Sequence, residues 1–279
     1  MSSRAFRAFI LTTAVMMTTA VGVRAQPSQP INDAGRKFAG ERLVYDGKIS
    51  KMKFTFSVAE ITFTAADDPQ NDGLLIKAEA VSKGTLLSLF RYSFLQQINS
   101  NIDLAGFKAT RTDKHDVQKE RVRDSEAVFD YAQRRVTFVE TDPKDKMRAP
   151  RRIASGISDP SYDLVSVIYY IRLQELAIGK RFDLEVSDSG LVYKLPVVVT
   201  GREQQKSAIG KLQCWRIEPD IFGPGKLIER KGKMVIWVTD DAARVPVLAK
   251  INSEYGTISI KLKEYKKATQ MEAVIQSAK

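Results

Sequence analysis

Apolar and polar residues alternate with a period of two over most of the chain, the pattern of strands with one buried face. Phe54, Phe56, Val58 and Ile61 to Phe63 carry this beat with one slip, and the cluster from Asp67 to Gly73 ends it as a turn. Leu74, Ile76, Ala78 and Ala80 resume it, so a hairpin is expected between these segments. The same reading predicts strands near Arg42 to Lys51, Arg91 to Asp103, Phe107 to Gln118, Arg123 to Asp130 and Arg135 to Glu140. Further strands are expected at Arg181 to Val186, Leu191 to Gly201, Lys211 to Glu218, Met234 to Thr239, Val245 to Ser253 and Thr257 to Tyr265.

The period changes once, after a basic loop from Lys144 to Arg152. Ser158-Asp159-Pro160 offers a capping side chain followed by proline, and Leu164, Val167, Ile168 and Ile171 follow at helical spacing. A helix is therefore predicted from Pro160 to Glu175, with Asp159 as its cap and Asp163 as an acid in its first turn. Tyr169, Tyr170 and Leu173 widen its apolar surface, which fits packing against a sheet.

About eleven antiparallel strands in hairpin order, with one inserted helix, imply a mainly β fold built on a large curved sheet. Such a sheet hides its edges and inner face by closing or being covered, and a half-open barrel with the helix on its concave side does both. An ordinary sandwich is the alternative. No linker divides residues 38–267, read as one β domain, between a flexible segment at 26–37 and a helical or frayed tail at 268–279.

The N-terminus adds an address. Arg4 and Arg7 precede an uncharged run from Ala8 to Val23, and Val23-Arg24-Ala25 presents small residues before a cleavage point between Ala25 and Gln26. A membrane anchor competes less well, because Thr12, Thr13, Thr18 and Thr19 dilute a run already short of a span. With no twin arginine and no cysteine after the cleavage point, a soluble, exported, periplasmic protein is expected.

Loss of Arg4, Arg7 and Arg24 takes the net charge from +11 to +8. The basic residues are scattered among acids rather than gathered on one face, which excludes nucleic acid as the natural partner. A lipid or another anionic envelope component fits an exported basic protein better, with peripheral membrane contact open and no span in the mature chain. A merely solvated basic exterior is the bland alternative.

Candidate chemistry is sparse. Cys214 is the sole cysteine, so no intramolecular disulfide forms, and its strand context reads as a core thiol. His115 is the sole histidine and reads as a surface residue, so nitrogen and sulfur zinc sites and a histidine-dependent triad lack their ligands. No metal or cofactor is expected, although a carboxylate-only calcium site remains open. Gly223-Pro224-Gly225-Lys226 lacks the spacing of a phosphate loop and reads as a hairpin turn. Asp240 and Asp241 are the one carboxylate pair that could do acid and base work, and turn formation explains them more simply. A non-enzymatic protein is expected. The stretch from Gly84 to Phe90, with Leu86, Leu87, Leu89 and Phe90, is either core or an apolar lip over a lipid-holding cavity that Tyr169 and Tyr170 would also line.

Several segments together resemble a known family. They are Gly40-Glu41-Arg42-Leu43-Val44-Tyr45-Asp46, Asp159 to Leu164 with Ile168 to Arg172, Val198 to Glu203, Gly210-Lys211 with Ile217-Glu218-Pro219, and Ile236 to Asp241 with Arg244 to Val247. Their order and spacing resemble the bacterial domain of unknown function 3108 over roughly Phe38 to Tyr265. The resemblance implies an exported protein of a Gram-negative-type envelope with an antiparallel β domain, and no activity. The inferred curved sheet also looks like the half-barrel of periplasmic lipoprotein carriers, a likeness of fold alone. Binding or carriage of a lipid or other amphipathic envelope molecule is the expected function, with ligand-free envelope assembly as the alternative.

Overall fold

The computed structural model describes residues 34–84, 88, 91–254 and 256–267. The expected signal with its Ala25–Gln26 junction, residues Leu86, Leu87, Leu89 and Phe90 of the expected lip, and the expected tail at 268–279 lie outside the described residues.

Among the described residues the chain forms one 14-stranded antiparallel sheet. In order these are β1 (Arg42–Lys51), β2 (Phe54–Asp68), β3 (Gly73–Ser82), β4 (Phe94–Asp103), β5 (Lys108–Gln118), β6 (Arg121–Asp130), β7 (Arg135–Thr141) and β8 (Arg151–Gly156). After the helix α1 (Ser166–Leu173) come β9 (Arg181–Asp188), β10 (Leu191–Ser207), β11 (Gly210–Pro219), β12 (Gly232–Thr239), β13 (Pro246–Ser253) and β14 (Gly256–Lys266). Two meanders, β1 to β8 and β9 to β14, join where β1 pairs with β14 from Arg42 opposite Lys266 to Ser50 opposite Thr257. The first and last strands thus lie mid-sheet, and β8 and β9 form its two edges.

No ladder joins β8 to β9, yet the seam between them is stapled. Ser155 Oγ donates to Gly190 O at 2.6 Å. Gly190 sits at φ +80°, where a Cβ would strike Phe138 and Ile153, so this turn admits only glycine at that approach. Residues 157–162 then run along the gap. Ile157 N donates to Arg134 O, Ala109 N to Ser161 O, and Tyr162 exchanges backbone bonds with Glu185 and Ser187 of β9. Tyr131 OH donates to Ala109 O and Ser161 O at 2.7 and 3.0 Å. These bonds hold the front meander to the rear one without closing the barrel.

The half-open barrel with an inserted helix is therefore correct, with three corrections. Fourteen strands replace about eleven. β8 begins in the last two residues of the expected basic loop and runs on through residues assigned to no element, because Arg151-Arg152-Ile153-Ala154-Ser155-Gly156 is an edge strand with one large apolar residue. The helix begins at Ser166 rather than Pro160, since Tyr162 is committed to β9 and Asp163, not Asp159, governs its start. Asp163 Oδ1 accepts from Val165 N and Ser166 N at 2.9 and 2.7 Å, and Asp163 N donates back to Ser166 Oγ at 2.9 Å. This is a reciprocal cap. Asp159 instead accepts from Lys108 Nζ at 2.9 Å.

An eight-residue helix is marginal alone, and α1 is held by burial on both flanks. Val165 and Tyr169 pack with Phe38, Leu74, Ile76, Ile102 and Phe107 of the front meander. Val167 and Ile171 pack with Leu184, Val186, Val197, Val199 and Ile217 of the rear one.

At the helix end lies the least solvent-exposed ion pair of the described residues. Arg172 donates from Nη1 and Nη2 to both oxygens of Glu41 at 2.7 Å, with the side chains 1% and 4% exposed. Its Nη2 and Nε also donate to Ala243 O at 3.1 Å and Arg244 O at 3.1 Å. The guanidinium carbon stands 4.4 Å over the Phe38 ring and 4.9 Å over Tyr169. Arg244 returns a bond from Nη1 to Arg172 O at 3.1 Å. Burial disfavours the guanidinium charge, and the hydrogen bonds and charge of Glu41 more than offset it, so Arg172 is held firmly protonated.

Removing either partner leaves a buried charge unpaired, so Glu41→Gln or Arg172→Met alone should destabilise the fold by about 3–5 kcal/mol. Urea unfolding midpoints at constant m-value would measure this, and the double variant Glu41→Leu/Arg172→Met should recover a large part of the loss.

Candidate functional site

Alternation and register together place a continuous apolar ladder on the concave face of the central strands. Met234 of β12 lies opposite Ile251, which lies opposite Ile258, then Ile49 and finally Phe56 of β2. Directly opposed residues share a face, and alternation puts this row on the side of Tyr45 and Leu262. Ile251, Ile258, Ile49 and Phe56 are all only half-buried. The adjacent row, Ala249, Ile260, Gly47 and Ala59, is small at all but Ile260, and a Cβ on Gly47 would approach that of Ala59 at 3.3 Å. The half-buried ladder and this row together form a shallow apolar strip, hereafter the trough.

The opposite, convex face of the same strands is basic. A groove of about 510 Å³ runs between the β10–β11 arm and β13, β14 and β1, lined by Lys48, Lys206, Lys250, Lys261 and Lys263 with Asp46. Lys48 reaches Asp46 at 3.3 Å and Lys263 reaches Glu60 at 2.9 Å. Hydrogen bonds from Lys83 and then Lys263 hold the Glu60 carboxyl down at about 2. Lys206 and Lys261 have no ion-pair partner among the described residues. The arm is clamped by Trp237 Nε1 donating to Glu203 Oε1 at 2.6 Å, with Ile209 and Leu212 packed beside Trp237.

The expected cavity takes a different form. Tyr169 is 1% exposed, set edge-on to Phe38 at 5.0 Å, and Tyr170 stacks on Tyr162 at 4.4 Å. Both belong to the packed core around α1 and neither lines an open cavity, because the short helix fills the space they were expected to border. Burial drives the Tyr169 phenol far above its ordinary range. A partly open cavity between the front meander and the end of β9, bordered by Thr112, Lys114, Asp163 and Ser187, measures only about 30 Å³, room for water and not for a lipid tail.

The remaining candidates fall into structural roles. Asp241 Oδ1 accepts from Thr239 Oγ1, Ala243 N and Arg244 N at 2.7–3.0 Å, and Asp240 pairs with Arg202, so the two aspartates build the β12–β13 turn and its anchor. Gly223 and Gly225 lie in the β11–β12 connection at positive φ, as a turn requires. His115 is part-exposed, 2.5 Å from Asp124 on the outer face. Among the described residues no group of three or more His, Cys, Asp or Glu could hold a metal ion. Cys214 is fully buried, and burial first, then the charges of Asp241 and Asp240, push its thiol up to about 11.

The segments around Glu41, Arg172, Asp241 and Arg244 meet in three dimensions at the helix end. The sequence model of the family described as "Protein of unknown function (DUF3108)" matches residues 44–263. The chain belongs to the DUF3108 family. No curated protein matches it. Among solved structures, the DUF3108 chain is similar to a β-barrel-like protein of domain of unknown function DUF1849 from Brucella abortus. That match has a TM-score of 0.58 and 10% identity, and covers 83% of this chain and 98% of that one. A putative exported protein with a YmcC-like fold from Bacteroides fragilis matches at a TM-score of 0.34 and 9% identity, over 82% and 96% of the two chains. The Brucella likeness extends the β-barrel-like fold to a second family at an identity where fold alone is shared.

Cys214 should react slowly with a maleimide at pH 8 in the folded protein, since below its pKa the thiol stays protonated as well as covered. Unfolding in urea should raise the rate by orders of magnitude, which a thiol-labelling time course would read directly.

Proposed function

We propose that this DUF3108 protein is an exported component of a bacterial cell envelope that binds a lipid or other anionic amphipathic molecule without chemical turnover. The half-exposed ladder of Ile251, Ile258, Ile49 and Phe56 on the concave face carries this reading, because those residues are apolar and in register yet outside the packed core. Lys51 and Lys53, exposed beyond Phe56 at the end of the ladder, supply the complementary charge for an anionic head group, whereas the convex-face lysines lie across the sheet from it. The N-terminal pattern supports export. The trough is open, so binding there is a surface grip rather than enclosure of a whole lipid.

A second reading is envelope assembly without a small ligand. It is favoured by the two edge strands β8 and β9, which no ladder joins, and by the basic β7–β8 connection.

The deciding experiment is to express the full chain with its own signal and purify the processed protein without detergent. Native mass spectrometry and lipid extraction should then find a stoichiometric amphipath. Ile49→Asn/Ile258→Asn should release it while the far-ultraviolet spectrum stays that of the parent. A clean apo mass from the parent protein would sink the binding reading and favour assembly, to be followed by crosslinking in cells.

A further inference from the structure

The β1–β2 connection is a two-residue turn, Met52-Lys53, between Lys51 and its partner Phe54. Met52 is 93% exposed and Phe54 65% exposed, two neighbouring large apolar side chains in water at the tip of a projecting hairpin. Met52 also holds φ at 56°, a left-handed position that asparagine or glycine would occupy with less strain. Phe54 stacks on Phe56 at 6.2 Å with rings 13° apart, so the tip continues without a break into the apolar ladder. Lys51 and Lys53 flank it, exposed and with no ion-pair partner among the described residues.

The surroundings have the same sign. In an antiparallel meander, alternate connections share one end of the sheet, so the β1–β2, β3–β4, β5–β6, β7–β8, β9–β10, β11–β12 and β13–β14 connections lie at this end. Together these connections carry more lysine and arginine than acid. The turns at the opposite end carry Asp72, Asp240 and Asp241 beside Arg134 and Arg244, with Arg36 paired to Asp72, and have no such excess of cations. An apolar tip flanked by two exposed lysines, at the end of the sheet whose connections are on balance basic, is the chemistry of docking onto a negatively charged bilayer.

We propose that the β1–β2 hairpin docks the protein on an anionic lipid bilayer, with Met52 and Phe54 entering the interface and Lys51 and Lys53 meeting lipid phosphates. The docking deepens the binding reading above and rests on export to an envelope compartment. It would set the trough, which begins at Phe56, against the membrane from which an amphipath could be drawn.

The test is cosedimentation of the processed protein with phosphatidylglycerol and phosphatidylethanolamine vesicles, and with phosphatidylcholine vesicles alone. The parent protein should pellet with the anionic vesicles. Met52→Ser/Phe54→Ser should lower the partition coefficient by at least about tenfold. Lys51→Glu/Lys53→Glu should lower it by at least about fivefold per lysine on anionic vesicles only. Because both substitutions lie at an exposed turn, unchanged thermal melting should accompany them. A nitrobenzoxadiazole dye on Met52→Cys should brighten on adding anionic vesicles, the buried Cys214 staying unlabelled. Failure of the parent protein to pellet, equal pelleting of the Met52→Ser/Phe54→Ser variant, or a silent dye would each overturn the docking, as would loss of a protein crosslink alone in the tip variants. Vesicle docking by a protein that carries no copurified amphipath would sink the trough and leave the hairpin standing. Retained amphipath with no docking would do the reverse.

Discussion

The structure depends on one buried cation. Arg172 ends α1, and through it the helix is tied at once to Glu41, immediately before β1, and to the carbonyls of the β12–β13 turn. Those two places lie near the point where the meanders join, so a single side chain fixes the helix against both. Taking a guanidinium out of water is expensive, and the expense is met by a bidentate carboxylate, two backbone carbonyls and two aromatic faces. The arrangement specifies position more than it adds stability: a hydrophobic pair of similar volume could fill the space, but would not fix the helix rotation that sends Tyr169 forward and Ile171 to the rear. Neighbouring groups feel the same constraint. Lys37 is pulled below its ordinary value by burial and by the charges of Arg172 and Arg244, and burial drives Tyr45 well above its own.

Much of this was legible along the chain, and what escaped has a common cause. Period-two alternation located thirteen of the strands because each buries one face; β8 escaped because an edge strand with Arg151 and Arg152 has almost no buried face to announce it. The helix was found from Leu164 to Ile171 spacing, but its start was misplaced because Asp159-Pro160 and Asp163-x-x-Ser166 are competing start signals. Only tertiary pairing of Tyr162 with β9 decides between them. The candidate site was the least legible part. Ile49, Phe56, Ile251 and Ile258 were visible as apolar positions in their own strands, yet that they form one row depends on β1 meeting β14, a register between segments more than two hundred residues apart. Glu41 and Arg172 were both inside segments of the family pattern, and no spacing rule links positions 131 residues apart.

The central strands show how one sheet can present opposite chemistry on its two sides. In β14, Ile258, Ile260 and Leu262 alternate with Ser259, Lys261 and Lys263, and in β1, Tyr45, Gly47 and Ile49 alternate with Asp46 and Lys48. Toward the helix the inner row is sealed, with Leu262 2% and Tyr45 5% exposed, and toward the β1–β2 tip the same row opens to half-burial. The opening follows from helix length. At eight residues α1 spans about 12 Å, less than half of what fifteen-residue β2 covers, so it can plug only part of the concave face.

That shortfall links the fold to the binding proposed for it. A helix twice as long would have covered the ladder, and the row Ile251, Ile258, Ile49 and Phe56 would then be ordinary core. With α1 pinned by Arg172 at one end and by the Asp163–Ser166 cap at the other, it cannot slide toward the tip without breaking the ion pair or the cap, so among the described residues the helix leaves this row half-buried. Burying that surface is favourable by about 25 cal/mol per Å², and water is the poorest occupant for it. The position of the half-buried apolar row is thus set by the length and anchoring of the helix that does not cover it.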